Sequence, residues 1–134
     1  MTLRISLRDG EKMIVNGAVI RSVGRTEICL ENRAAIMRGR EVMSPDDATT
    51  PARKLYFACM MAYIDPDGLV AHQETIVALL RDLMAIVESD EARVACVSFA
   101  RKVAEARFYR ALADCRGLIG YEAEVLAQPG RQVA

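Results

Sequence analysis

Leu3-Arg4-Ile5-Ser6-Leu7-Arg8-Asp9-Gly10-Glu11-Lys12-Met13-Ile14-Val15-Asn16-Gly17-Ala18-Val19-Ile20-Arg21-Ser22-Val23 is the stretch that decides how this chain is read. It opens with alternation, Leu3, Ile5 and Leu7 on one side and Arg4, Ser6 and Arg8 on the other. Successive side chains leave a strand on opposite faces, so period two implies a half-buried strand. The polar run Arg8 to Lys12 then breaks the apolar pattern. Within it Gly10 tolerates the positive φ of a tight turn, and Asp9 can hydrogen-bond its own backbone. A second apolar run, Met13 to Val15, meets Asn16-Gly17, a strong two-residue hairpin signal. Ala18 to Val23 carries the sheet back.

Outward from this hairpin the same grammar continues. Val23-Gly24-Arg25 reads as a turn and Thr26 to Leu30 as a strand, with Ile28 and Leu30 inward. Ala34 to Arg38 and Glu41 to Met43 read as one or two further strands broken at Gly39. Consecutive short strands with tight turns imply an antiparallel meander of four to five strands. A sheet that small cannot bury both faces alone, so a cover or a partner subunit is expected.

The character of the chain changes across Ser44 to Thr50, a linker bracketed by Pro45 and Pro51. Thr50-Pro51 is a helix start, because a hydroxyl caps orphan amides and proline fits the first helical position. A largely apolar helix follows to Ile64, and Asp65-Pro66-Asp67-Gly68 stops it. A second helix begins at Leu69 or Ala71 and ends at Glu88, with Ile76, Leu79, Leu80, Leu83 and Val87 as its inner stripe. A third, long helix is expected over Glu91 to Arg116, ended or kinked by Gly117 and Gly120, with a short piece through Leu126. The expected class is α+β: a basic antiparallel β region over 1–43, a linker over 44–50, a three-helix array over 51–128 and a frayed tail over 129–134.

Composition narrows the function classes. A chain of 134 residues suits a single compact domain or two small ones, and 52 % hydrophobic content is ample for a core. The formal net charge is zero, but residues 1 to 43 hold eight Lys/Arg against five acids, leaving ten bases and thirteen acids for the rest. That asymmetry suggests that one half meets an acidic partner, or that the two halves meet each other. Cys29, Cys59, Cys96 and Cys115 are far apart with no CxxC pair, so reduced thiols are expected in place of a zinc site or disulfide framework. With no apolar h-region and no membrane-length apolar run, the expectation is a soluble, cytoplasmic protein that binds no membrane.

Little in the sequence suits catalysis, and neither an enzyme nor a cofactor is expected. His72, the only histidine, reads as a surface or capping residue. Asp65, Asp67 and Glu74 lack the further ligands of a calcium loop and read as a turn. Gly10, Gly17 and Gly24 match hairpin turns and no phosphate loop. Binding surfaces remain. Arg4, Arg8, Lys12, Arg21 and Arg25 are candidate RNA-phosphate contacts, since cations held on a rigid sheet displace counterions from a nucleic acid. None of the three Phe or four Tyr lies in that sheet, so stacking platforms for bases are missing from it. On the first helix, Tyr56, Met60 and Tyr63 are candidates for docking a protein partner.

The run from Leu3 to Ile20, together with Glu31-Asn32, Val42-Met43, Ala48-Thr49-Thr50-Pro51 and Leu55-Tyr56-Phe57, resembles the FlbT family of flagellin post-transcriptional regulators. The resemblance implies action through the 5′ untranslated region of flagellin mRNA, with repression of translation and faster mRNA decay. It also implies partnership with the companion regulator FlaF. Two readings stand side by side: direct contact of the basic sheet with the mRNA leader, or an adaptor whose helices grip flagellin or FlaF. The exposed edge of so small a sheet also allows a homodimer.

Overall fold

The N-terminal alternation forms the strand it implies, but the strand does not pair with its neighbour in sequence. The computed structural model describes residues 2–127, so the expected frayed tail over 129–134 lies outside the described residues. Five strands, β1 (Leu3–Leu7), β2 (Lys12–Val15), β3 (Ala18–Arg21), β4 (Thr26–Leu30) and β5 (Ile36–Arg38), precede four helices, α1 (Pro51–Ile64), α2 (Leu69–Ile86), α3 (Asp90–Ala104) and α4 (Phe108–Ala127). The class is α+β, and the chain divides into two compact units, Met1–Val42 and Met43–Ala134. Residues 44–50 carry a short 3-10 turn, Pro45–Asp47, within the second unit.

The first unit holds two small antiparallel sheets in place of one sequential meander. β1 pairs with β4, setting Ile5 opposite Ile28, while β2 sits between β3 and β5. The cause is the turn at Arg8 to Glu11, where Gly10 takes a φ of 79° and the Glu11 amide donates to the Arg8 carbonyl. This redirects the chain from one sheet into the other. Ile5 and Leu7 from β1 then share a core with Met13 of β2, flanked by Val15, Ile28, Leu30 and Ile36. Two sheets thus enclose what a single sheet of this size would leave bare. Glu41 to Met43 is not a strand, since Gly39–Glu41 forms a 3-10 turn with Gly39 at a φ of 49°.

The Asn16-Gly17 hairpin forms with both residues at positive φ, 50° and 85°, as the two-residue turn matched to strand twist requires. Asn16 also reaches beyond its own turn. Its Oδ1 accepts from the Ala35 amide at 2.9 Å, and its own amide donates to the Ala35 carbonyl at 2.8 Å. The turn that joins β2 to β3 is thereby also tied to the approach to β5.

In the second unit α1 packs against both α2 and α4, and α3 packs against α4. Thr50 caps α1 by accepting from the Arg53 amide. A second cap comes from seventy residues away, where the buried Glu122 accepts from the Ala52 amide at 3.0 Å. A carboxylate is well placed there, at the positive end of the helix dipole. At the α1–α2 corner His72 Nε2 lies 2.8 Å from Asp65 Oδ2. A Cβ at Gly68 would stand 2.6 Å from that oxygen, so glycine leaves room for the pair.

The expected third helix is two helices. It breaks after Ala104, where Ala106 has a φ of 60° and the Arg107 amide reaches back to the Lys102 carbonyl at 2.8 Å. The Ala106 amide meets the Val103 carbonyl, completing a Schellman cap with alanine where glycine is usual. Gly117 and Gly120, expected to end or kink a helix, lie inside α4. Burial of Leu112, Cys115 and Leu118 on that helix outweighs a glycine cost of about 1 kcal/mol each. Asp114 pins α3 to α4 by accepting from Ser98 at 3.1 Å and Lys102 at 3.0 Å. Burial pushes the Cys59 thiol up to about 12 and raises Cys96 and Cys115 too, so these three are neutral packing groups.

Candidate nucleic-acid interface

The charged end of the β unit is built on two turns knitted together. Gly10 donates its amide to the Ser22 carbonyl at 2.8 Å, and the Ser22 amide donates to the Glu11 carbonyl at 2.9 Å. The Gly24 amide meets Asp9 Oδ1 at 2.8 Å. These bonds hold the Arg8–Glu11 turn against the Ser22–Arg25 turn without using a basic side chain. Between them lies an open groove of about 940 Å³, lined by Ser6, Leu7, Arg8, Asp9, Gly10, Glu11, Arg25 and Arg38.

Three guanidiniums therefore face two carboxylates, and the carboxylates are engaged. Glu11 Oε1 accepts from the Arg8 amide at 3.1 Å, and Glu11 Oε2 takes Arg38 at 3.0 Å. The Arg8 amide first and the Arg38 guanidinium second hold the Glu11 carboxyl below the usual carboxylate range. The same Arg38 group donates to the Ser6 carbonyl at 2.9 Å, so one side chain from β5 links both sheets. Arg8 and Arg25 make no side-chain hydrogen bond or ion pair among the described residues, which leaves two cations open to an anion.

Of the five sequence candidates, the fold brings Arg8 and Arg25 into this groove and disperses the rest. Arg4 stands on the exposed face of β1, with Cys29 as its partner on β4. Lys12 and Arg21 are directly opposite on β2 and β3, a like-charge pair that a bare sheet disfavours and that a polyanion would relieve. Arg38 was not a candidate, because only the non-local pairing of β5 delivers it to the groove. Of the proposed protein-docking residues, Tyr56 and Met60 are buried, and Met60 Sδ accepts from the Met43 amide. Tyr63 is half-buried with its ring centroid 5.2 Å from that of Tyr109. Among the described residues no group of three or more His, Cys, Asp or Glu could hold a metal ion, and no helix is long and apolar enough to cross a membrane.

Fold and groove together define a small two-unit α+β protein with a groove on its β unit lined by Arg8, Arg25 and Arg38. Comparison with known proteins gives this class a family. The family model described as flagellar protein FlbT matches residues 3–126, and the chain belongs to that family. A flagellum biosynthesis repressor protein FlbT of Caulobacter vibrioides is 37 % identical over 127 residues, covering 94 % of this chain and 90 % of that one. Probable flagellum biosynthesis repressor proteins FlbT of Brucella abortus and Agrobacterium fabrum are 34 % and 33 % identical, covering 95 % and 94 % of this chain and 84 % and 85 % of theirs. No solved structure matches the chain.

Proposed function

We propose that this chain represses flagellin synthesis after transcription, by contacting the 5′ untranslated leader of flagellin mRNA through the groove between Arg8 and Arg25. The observation that carries the reading is the pair of unpaired guanidiniums on a rigid two-turn platform, with the Lys12–Arg21 cation pair elsewhere in the same unit. The names of the relatives supply the biological setting, flagellum biosynthesis repression. In this reading the protein is cytoplasmic, uses no cofactor and catalyses nothing; occupancy of the leader blocks translation and favours decay of the message. Phosphate contacts position such a complex, and the absence of aromatic rings from the β unit leaves base selection to hydrogen bonding and RNA shape.

The same lack of stacking rings favours a second reading, an adaptor that reaches RNA only through FlaF or flagellin bound to the helical unit. Titration of leader RNA and a scrambled control with the purified protein, across salt concentrations, separates the two. The direct reading expects discrimination and affinity that falls as salt rises. Binding that appears only after a protein partner is added would replace it with the adaptor.

A further inference from the structure

α2 is apolar along most of its length, yet only Ile76 and Leu83 are buried on it. Its outer face carries a second stripe, Val70, Val77 and Met84, spaced by seven and exposed to 69 %, 53 % and 44 %. Fourteen residues of α-helix span about 21 Å, so this is an extended seam. Glu74 and Arg81 stand on the same face, one to either side of Val77 and seven residues apart, and neither is ion-paired within the described chain. Exposed apolar seams of this kind mark interaction surfaces.

The order of charges identifies the occupant. In an antiparallel pairing of α2 with a second α2 about a two-fold axis between Val77 and Ala78, residue 74 of each copy meets residue 81 of the other. Glu74 then faces Arg81 twice, Val77 meets its own copy at the axis, and Val70 of each copy comes beside Met84 of the other at the ends of the seam. The exposed stripe of α3 offers no such match, since Val94 and Val97 are flanked by Arg93 and Arg101, which would repel their own copies. We infer that the outer face of α2 is an isologous dimer interface, filled by the same face of a second copy of this chain. The inference stands apart from the RNA reading.

Sedimentation of the full-length protein over a range of concentrations tests it, with wild type compared with Val77→Glu, Glu74→Arg, Arg81→Glu and the double exchange. Wild type should show a monomer–dimer equilibrium, which Val77→Glu abolishes. Each single charge reversal turns two attractive contacts into two repulsive ones and should weaken the dimer about tenfold. The double exchange restores attraction and should recover the wild-type constant. An equimolar mixture of the two single variants should dimerise better than either alone, which also shows that both are folded. A wild type that stays monomeric would overturn the proposal and leave the stripe to another partner. So would a dimer indifferent to these changes, or one that neither the double exchange nor the mixture restores.

Discussion

The β unit and the helical unit solve the same problem by different means. The β unit has a small apolar centre, Ile5, Leu7 and Met13, and its turns are fastened by polar links: Asp9 to Gly24, Asn16 to Ala35, and Arg38 to Ser6 and Glu11. The helical unit is closed by apolar contact, with Leu55, Phe99, Leu112 and Leu118 fully buried beside three neutral thiols. What differs is where charge is left over. Polar fastening through backbone and carboxylate groups leaves the Arg8 and Arg25 side chains without a hydrogen bond or ion pair among the described residues, whereas in the helical unit the inward charges, Glu122 and the Lys102–Asp114 pair, are each engaged between helices.

Substitutions in each unit test this contrast. Phe99→Ala should destabilise the helical unit most, by about 3–5 kcal/mol, because it opens a cavity in a close-packed interior. Thermal and denaturant unfolding followed by far-UV circular dichroism measures it; a cost below about 1 kcal/mol would mean that the helical interior is not held by packing. In the β unit, Asn16→Ala should cost about 1–2 kcal/mol, from an alanine at positive φ and a lost acceptor for Ala35. Amide exchange at Ala35 and Ile14 should speed up, with little change in α3 or α4.

Ala106→Gly should move stability the other way, by about 1 kcal/mol, since glycine takes the left-handed cap without a Cβ penalty. An unchanged or lowered melting temperature would contradict the Schellman cap. The smallest effect is acid sensitivity. Glu11 has a folded pKa below its ordinary value, so its contribution is present above the ordinary glutamate pKa and is lost as pH falls through the lower folded one. As pH falls below the ordinary carboxylate range, wild type should lose stability that Glu11→Gln does not have to lose, read by unfolding at each pH.

Much of this was legible from local pattern. The alternation of Leu3, Ile5 and Leu7 anticipated a strand that buries Ile5 and Leu7, Asn16-Gly17 its hairpin, and Thr50-Pro51 the capped start of α1. The Ile76–Leu83 stripe marked the inner face of α2. What escaped was set by partners remote in sequence or by residues acting against propensity. β1 prefers β4 because the Gly10 turn leads away from it, and Glu122 caps a helix seventy residues earlier. The α3–α4 break carries no glycine or proline to announce it, because Ala106 bears the unfavourable φ. Arg8 and Arg25 could be named from charge alone, but Arg38 joins them only through the β2–β5 register.

The most direct test of the account compares the two units as RNA surfaces. Leader-RNA affinity should be measured across salt for wild type, for Arg8→Glu with Arg25→Glu, and for Arg93→Glu with Arg101→Glu on the exposed face of α3. Reversal in the β unit should sharply weaken binding and flatten the salt slope by about 1.4, the share of two phosphate contacts on single-stranded RNA. Reversal on α3 should leave both unchanged. Equal losses from the two pairs, or an unaltered slope after the Arg8 and Arg25 reversal, would contradict the claim that the β unit meets the RNA.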